Sequence, residues 1–194
     1  MKKIIIFAGT CASGKTTVIE KINKEELSLG NEIKIDKNVD WDYIQYKHYQ
    51  EKIQSNQSHS DYVILHYDIY GQRIVMQNDF QQLSKLVGEF EEVSIVTLTT
   101  SSRELRKRIG MRLIKTIVRM LLNPINFKVE AFRCKRHYQI YKNYKNPNTL
   151  KNLYGDWFEY TKTLQSDEHW IVNSDRKDEY DIQNGLTFNH LLYN

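Results

Sequence analysis

GTCASGKTT, residues 9–17, is the stretch of sequence that decides the fold. Its pattern is a glycine, four residues, and then glycine, lysine and threonine. A turn of backbone N–H groups can surround a phosphate only where side chains leave the approach open, which Gly9 and Gly14 allow. The pattern predicts a nucleotide-binding loop in which Lys15 reaches the β- and γ-phosphates and Thr16 offers its hydroxyl to Mg²⁺. The predicted nucleotide-binding residues are Gly9, Cys11, Ala12, Ser13, Gly14, Lys15, Thr16 and Thr17.

The segments on either side of the loop fit this prediction. Residues 3–8 form a short β-branched run without polar alternation, as expected of a strand that is covered on both faces. Residues 17–27 place Val18, Ile19 and Ile22 on one side of a helix. A buried strand before the loop and a helix after it are the context that a phosphate loop needs.

Farther along the chain, strands alternate with helices, which indicates parallel βαβ units. From Ser102 the pattern turns helical, and Pro124 and Pro147 divide this region into three helices. The other predicted elements are strands at 31–36, 62–67, 93–98 and 169–173, and helices at 41–53 (with Asp40 as its cap), 79–87 and 182–192.

Length and composition limit the class of protein. A chain of 194 residues fits one domain, residues 1–194. Cys11 and Cys134 have no metal-ligand spacing, so we expect a reduced, cytoplasmic setting. No segment approaches the roughly 20 apolar residues of a spanning helix, so we expect a soluble protein without a membrane span.

The net charge of +4 is unevenly distributed. From Arg103 to Arg136 there are eleven Lys or Arg residues and two acids, whereas the remainder carries 17 basic and 22 acidic residues. Arg108, Arg112, Lys115 and Arg119 recur at spacings of four, three and four residues and align along one face of a helix. A second face of the same helix is apolar and is expected to carry Leu105, Ile109, Leu113, Ile117 and Leu121.

The order of elements resembles the P-loop kinase group, the superfamily of nucleoside, nucleotide and small-metabolite kinases. Residues 12–18, ASGKTTV, are similar to the phosphate loop of uridine kinases, and residues 103–109 resemble their arginine-rich lid. The resemblance implies an α/β, three-layer αβα P-loop NTPase fold with a five-stranded parallel sheet. It also implies a mobile basic helical lid, inserted at about residues 102–165.

The same resemblance suggests catalytic roles. Asp68, at the end of a predicted strand, is placed to hold Mg²⁺ or to deprotonate the acceptor hydroxyl, with Thr16 as the other metal ligand; a turn or capping aspartate is the alternative. Lid arginines, among them Arg106, Arg108 and Arg112, would stabilise charge on the transferred phosphate. The alternative for them is a solvated basic face. The catalytic candidates are Lys15, Asp68, Arg108 and Arg112.

The acceptor-binding candidates are Asp40, Trp41 and Asp42, where carboxylates stand beside aromatic rings. A helix cap with surface aromatics is an equal alternative. His66 is interpreted as a structural strand residue. The acceptor-binding stretch of uridine kinases does not reappear in residues 34–46, so the identity of the acceptor stays open.

These features predict a kinase that moves the γ-phosphate of ATP, with Mg²⁺, to a hydroxyl of a small molecule such as a nucleoside, nucleotide or sugar-like metabolite. One alternative is an NTP-binding switch or ATPase coupled to a macromolecular partner; no Asn-Lys-x-Asp motif for reading guanine follows a strand. Another alternative is a polynucleotide 5′-hydroxyl kinase, in which the tyrosines and lysines of residues 138–145 bind a nucleic-acid strand.

Overall fold

Strand β1 (Lys3–Gly9) lies inside a sheet, and every residue of it after Lys3 is buried. The other strands are β2 (Asp42–Gln45), β3 (Tyr62–Asp68), β4 (Glu92–Thr99), β5 (Glu168–Asn173) and β6 (Asp181–Asn184). A computed structural model of the chain describes residues 2–24, 35, 40–46, 61–75, 80–176 and 179–184.

The described strands form one sheet in the order β2-β3-β1-β4-β5-β6. Strands β1 to β5 are parallel, and β6 is antiparallel to β5. The pairing of β1 with β3 and with β4 sets Gly9 opposite Asp68 on one side and Leu98 on the other. The carboxyl ends of these strands therefore meet at one edge of the sheet, where α/β proteins bind their ligands.

The described helices are α1 (Lys15–Asn23), α2 (Gln81–Val87), α3 (Ser102–Leu122), α4 (Phe127–Asn143) and α5 (Pro147–Thr161). A π-helical turn (Gly71–Val75) follows β3, and a 3₁₀ turn (Pro124–Asn126) joins α3 to α4. None of the described helices is both long and apolar enough to cross a membrane.

The chain divides into two compact units. The first, Met1–Thr99 with Gly155–Asn194, contains the sheet and is called the sheet unit below. The second, Thr100–Tyr154, contains α3 and α4 and is called the helical unit. The expectation that residues 1–194 form a single domain stays a prediction.

Helices cover both faces of the sheet within the sheet unit. On one face, Val18 and Ile22 of α1 pack with Phe7 of β1 and with buried residues of β3, β4 and β5. On the other face, the ring of Trp157 stacks on Tyr67 with 5.3 Å between centroids. Because both faces of the sheet are covered, β1 and β3 are mainly apolar and do not alternate apolar with polar residues.

A buried polar chain connects the second helical layer to the sheet. Trp157 Nε1 donates to Thr97 Oγ1 over 2.9 Å, and Thr97 Oγ1 lies 2.8 Å from His169 Nε2. We assign His169 the neutral tautomer whose Nε2 accepts, because the Thr97 hydroxyl can then accept one hydrogen bond and donate the other. Burial lowers the pKa of His169 to about 4, which agrees with that assignment.

The helical unit contains an antiparallel pair of helices. At the end of the pair that is away from the 3₁₀ turn, Ser102 Oγ donates to the Tyr144 carbonyl over 2.6 Å. Closer to that turn, Thr116 Oγ1 lies 3.3 Å from His137 Nδ1. Helix α3 begins with a side-chain cap, in which Ser101 Oγ accepts from the amide of Glu104.

Most predicted elements of the fold are confirmed. The strands predicted at 3–8, 62–67, 93–98 and 169–173 and the three helices divided by Pro124 and Pro147 are present. The sheet has six described strands rather than the expected five, because antiparallel β6 pairs with the edge of β5. Strands β1 to β5 are parallel and flanked by helices, as expected of the P-loop NTPase fold. Of the strand predicted at 31–36, all residues but Ile35 lie outside the described part of the chain.

Two local predictions are wrong. Residues 42–45 form strand β2 rather than the start of a helix, because pairing with β3 outweighs the capping signal of Asp40. Residues 181–184 form β6 rather than the start of a closing helix, because they pair with the exposed edge of β5. Of the apolar face predicted for α3, Leu105 and Ile109 are buried, whereas Ile117 and Leu121 are exposed.

The His169 environment gives a pH-dependent contribution to stability. Its folded pKa, about 4, lies below the ordinary 6.5, so the unfolded chain binds a proton first as the pH falls. Between pH 6.5 and pH 4 we expect wild type to lose about 1.4 kcal/mol of unfolding free energy per pH unit relative to His169→Gln. Urea unfolding of both proteins across this range measures it; parallel pH profiles would contradict the assignment.

Candidate functional site

The loop between β1 and α1 has the backbone shape that its glycines predict. Gly14 has φ 95° and Ala12 has φ 68°, both in the left-handed region. The Ser13 amide donates to the Thr10 carbonyl over 3.2 Å, which closes the turn. A Cβ on Gly9 would lie 2.6 Å from Ser13 Oγ and 2.9 Å from the Leu98 carbonyl oxygen, so only glycine fits there.

Lys15 begins α1 and bends back over its own loop. Its Nζ donates to the carbonyls of Gly9 and Thr10, each over 2.8 Å, and the residue is only 4% exposed. The ammonium is thereby held at the edge of the sheet, inside the turn of the loop. Such a fixed positive charge beside open backbone amides is suited to bind phosphate oxygens.

Asp68 ends β3 directly beside the loop, opposite Gly9 in the strand register. Its Oδ1 is buried and has no hydrogen-bond partner among the described residues. A Cβ on Gly71 would lie 2.9 Å from Asp68 Oδ2, so the carboxylate occupies space that only a glycine leaves open. A buried carboxylate oxygen without a partner is costly, which indicates a site for a cation or a hydroxyl donor.

Tyr43 and His66 lie on the Lys15 side of the sheet. Tyr43 is half-exposed and shares a side-chain hydrogen bond with Thr16. Burial raises the pKa of Tyr43, and the hydrogen bond from Thr16 offsets only part of that rise. Burial, and then the positive charge of Lys15, lower the pKa of His66 to about 3. His66 is therefore neutral and cannot hold a proton near pH 7, which agrees with its interpretation as a structural residue.

Two further residues at this edge of the sheet were not predicted from the sequence. Ser174 Oγ, just after β5, donates to the Ser13 carbonyl over 2.6 Å and supports the loop from the far strand. Gln72 is buried one residue after Gly71. The spacing Asp68-x-x-Gly71-Gln72 at a strand end was the sequence signal that could have identified Gln72. Ser174 had no such signal, because it is 161 positions away in sequence from Ser13, the residue that it contacts.

The structure does not bring the predicted acceptor-binding residues to this edge. Asp42 begins β2 and pairs with Val63, at the amino end of the parallel strands, whereas Gly9 and Asp68 stand at the carboxyl ends. Trp41 packs on the core beneath α1 and contacts Tyr62 edge-on at 5.4 Å. Asp40 is exposed just before it.

The predicted lid arginines lie in the helical unit. Arg108 Nε is 3.1 Å from Glu104 Oε1, so this guanidinium is ion-paired within α3. Arg112 is exposed; burial, and then the positive charge of Arg112, lower the pKa of His137. Among the tyrosines predicted to bind a nucleic-acid strand, Tyr144 is buried and Tyr141 carries the Lys145 ammonium 5.4 Å from its ring centroid.

The residues at the loop fit Mg²⁺ held together with nucleotide phosphates. Within the described ranges, no group of three His, Cys, Asp or Glu side chains could hold a metal ion by itself. Mg²⁺ commonly needs only one or two protein oxygens when phosphates supply others. The buried Oδ1 of Asp68 and the hydroxyl of Thr16 are the oxygens that the loop offers.

One comparison with known proteins identifies a family. Residues 1–111, which are more than half of the chain, match the PduV-EutP family, described as "Ethanolamine utilisation - propanediol utilisation". This is a family of the P-loop NTPase type, in keeping with the loop, the helix after it and the sheet. No curated protein matches the chain significantly.

Adding a methyl group at Gly71 tests the role of the neighbouring Asp68 carboxylate. Gly71→Ala would push the Asp68 carboxylate from its position, whereas the methyl of Gly88→Ala meets nothing closer than 3.5 Å. We expect Gly71→Ala to lose the enhancement of nucleotide binding by Mg²⁺, and Gly88→Ala to keep it. Titration calorimetry with and without Mg²⁺ measures this; equal enhancement in both variants would contradict the role of Asp68.

Proposed function

We propose that this chain, which belongs to the PduV-EutP family, is a phosphotransferase that moves the γ-phosphate of ATP to a hydroxyl of a small molecule. As a member of that family it is a nucleotide-binding protein of the P-loop NTPase type. The acceptor and the transfer itself belong to the proposal. The observation that carries it is the buried Asp68 oxygen without a hydrogen-bond partner among the described residues, placed in register with the phosphate loop.

Each residue at the loop has a task in such a transfer. The loop amides and Lys15 would bind the phosphates, and Thr16 with Asp68 would hold Mg²⁺. Mg²⁺, when bound, supplies charge neutralisation on the phosphate oxygens. Phosphoryl transfer needs mainly such positioning and electrostatic stabilisation, so a site with few titratable groups is sufficient.

Asp68 would also orient the acceptor. The acceptor oxygen attacks the γ-phosphorus, the bond from that phosphorus to the β–γ bridging oxygen breaks, and ADP leaves with the electron pair. The hydroxyl proton would pass to Asp68; its position opposite Gly9 in the strand register supports this role. Asp40 and Asp42 stand at the opposite end of the strands and are not needed for this step.

The direction of β2 supports an acceptor site at the same edge. Because β2 is parallel to β3, its carboxyl end at Gln45 points toward the Asp68 end of β3. The ring of Tyr46, just after β2, contacts Tyr67 with 4.9 Å between centroids. The end of β2 would thus form one wall of an acceptor pocket, as expected where ligands bind at the carboxyl ends of parallel strands.

Arg108 and Arg112 are proposed to stabilise the developing charge on the transferred phosphate, within a lid of about residues 102–165. The support is the positive charge of residues 103–136, where eleven basic residues outnumber two acidic ones. Planar guanidinium groups bind two phosphate oxygens at once. For Arg108, phosphate would replace Glu104 as the binding partner.

A second candidate function is an NTP-binding switch or NTPase that responds to a macromolecular partner. The observation that favours it is Gln72, buried directly after the glycine that borders Asp68. Glutamines at such places position an attacking water in some P-loop NTPases. In that case water, rather than a small hydroxyl compound, would receive the phosphate.

Turnover assays of Asp68→Asn test the proposed chemistry. We expect the kcat of ATP consumption to fall about 10²-fold or more, because proton transfer and metal binding both lose a charge. Asp61→Asn is the matched control, since Asp61 is exposed just before the amino end of the same strand. Equal rates for Asp68→Asn and wild type would refute the assigned role.

The acceptor class decides between the two functions. Purified protein is incubated with ATP or GTP and a panel of nucleosides, nucleotides and sugars, and phosphorylated products are measured. Phosphate transferred to a panel member supports the kinase. Release of inorganic phosphate alone, accelerated by a macromolecular fraction, supports the switch. No consumption of either nucleotide under any of these conditions would overturn both.

A further inference from the structure

The helical unit exposes large apolar side chains near the turn between α3 and α4. Leu121 is 74% exposed, Leu122 79% and Ile125 92%. These residues surround the turn between α3 and α4, and we call them the hairpin tip. A single exposed leucine needs no explanation, but several large exposed apolar residues at one end of a helical pair indicate an interaction site.

The exposed apolar residues of α3 share one side of the helix. Successive helical residues are about 100° apart, which places Met111, Ile114 and Val118 in line with Leu121 and Leu122. The buried residues Leu105, Ile109 and Thr116 lie on the opposite side. Helix α3 is therefore apolar on two sides, and its packing within the unit covers one of them.

Basic side chains border this exposed apolar surface. Arg112, Lys115 and Arg119 are exposed and lie along one margin of it at helical spacing. From Met111 to Tyr138 the sequence has seven Lys or Arg residues and one acid. That acid, Glu130, is buried and ion-paired with Arg133 at 2.6 Å, so it presents little negative charge to a partner.

We propose that the hairpin tip docks on the surface of a lipid bilayer that contains anionic phospholipids. The exposed leucines and isoleucine would enter the boundary between headgroups and acyl chains, while the bordering arginines and lysines bind the anionic headgroups. The proposed contact is peripheral, with the apolar side chains entering only the boundary region of the bilayer. The proposal does not depend on the proposed phosphotransferase activity.

The same observations disfavour other occupants. A symmetric dimer through this surface would bring the basic margins of two copies together, and like charges would repel. Single-stranded nucleic acid binds by stacking on aromatic rings, whereas this surface is mostly aliphatic. A bilayer offers both an apolar layer and a dense negative charge, which match the two properties of the tip.

Vesicle co-sedimentation of the full chain tests this proposal. We expect wild type to bind vesicles of 70% phosphatidylcholine and 30% phosphatidylglycerol at least about tenfold more tightly than pure phosphatidylcholine vesicles, and less tightly as salt is raised. Ile125→Glu should weaken binding at least about tenfold. Ile74→Glu is the matched control, an exposed isoleucine in the sheet unit, and should bind as wild type does.

A second pair of variants tests the charges. Lys115→Gln with Arg119→Gln should weaken binding to the anionic vesicles about fivefold or more per residue, whereas Lys24→Gln with Lys85→Gln should leave it unchanged. Far-UV circular dichroism and thermal unfolding confirm that each variant is folded. Because these substitutions lie on exposed positions, a loss of binding by a folded variant reports the surface itself.

Three results would overturn the proposal. Wild type could fail to bind anionic vesicles; Ile125→Glu could bind them as tightly as wild type; or light scattering could show a dimer that Ile125→Glu dissociates, with no vesicle binding. The last result would assign the tip to contact between copies. Nucleotide titration of the same samples is independent of all three, so a failure of the proposed function is distinguishable.

Discussion

The in-register pairing of β1 with β3 places Gly9 opposite Asp68, and the rest of the site depends on it. Both strands are buried on two faces, so a slip by one residue would move every side chain to the opposite face, where it would meet different packing partners. The phosphate loop begins where β1 ends, and the carboxylate stands where β3 ends. Hydrophobic packing of the sheet thereby fixes the spacing between a phosphate-binding turn and a buried acid.

The second constraint on the site is that the backbone at two glycines lies too close to neighbouring atoms to carry a side chain. Gly9 lets the loop turn against Leu98, and Gly71 leaves space for the Asp68 carboxylate. Lys15 closes the loop through two carbonyls of its own turn, so the loop is preformed around its cation. A nucleotide would therefore meet a site that is already arranged, and little ordering would be needed on binding.

The sequence predicted what local chemistry determines. The loop, the buried strands and the helices divided by prolines follow from glycine, proline and hydrophobic periodicity. Strand β2 was missed because its four residues gain their structure from β3, which is a distant partner. The exposed side of α3 was missed because an apolar helical pattern does not say which of its sides is covered. Ser174 reaches the loop only through the tertiary fold.

The most direct test of the central claim is titration calorimetry of a non-hydrolysable ATP analogue with Mg²⁺, for wild type, Lys15→Ala and Lys24→Ala. If residues 9–17 bind the nucleotide phosphates, wild type and the exposed control Lys24→Ala bind the analogue alike, and Lys15→Ala binds at least about tenfold more weakly. Absence of binding by wild type to ATP and GTP analogues, or equal binding by Lys15→Ala, would contradict the account.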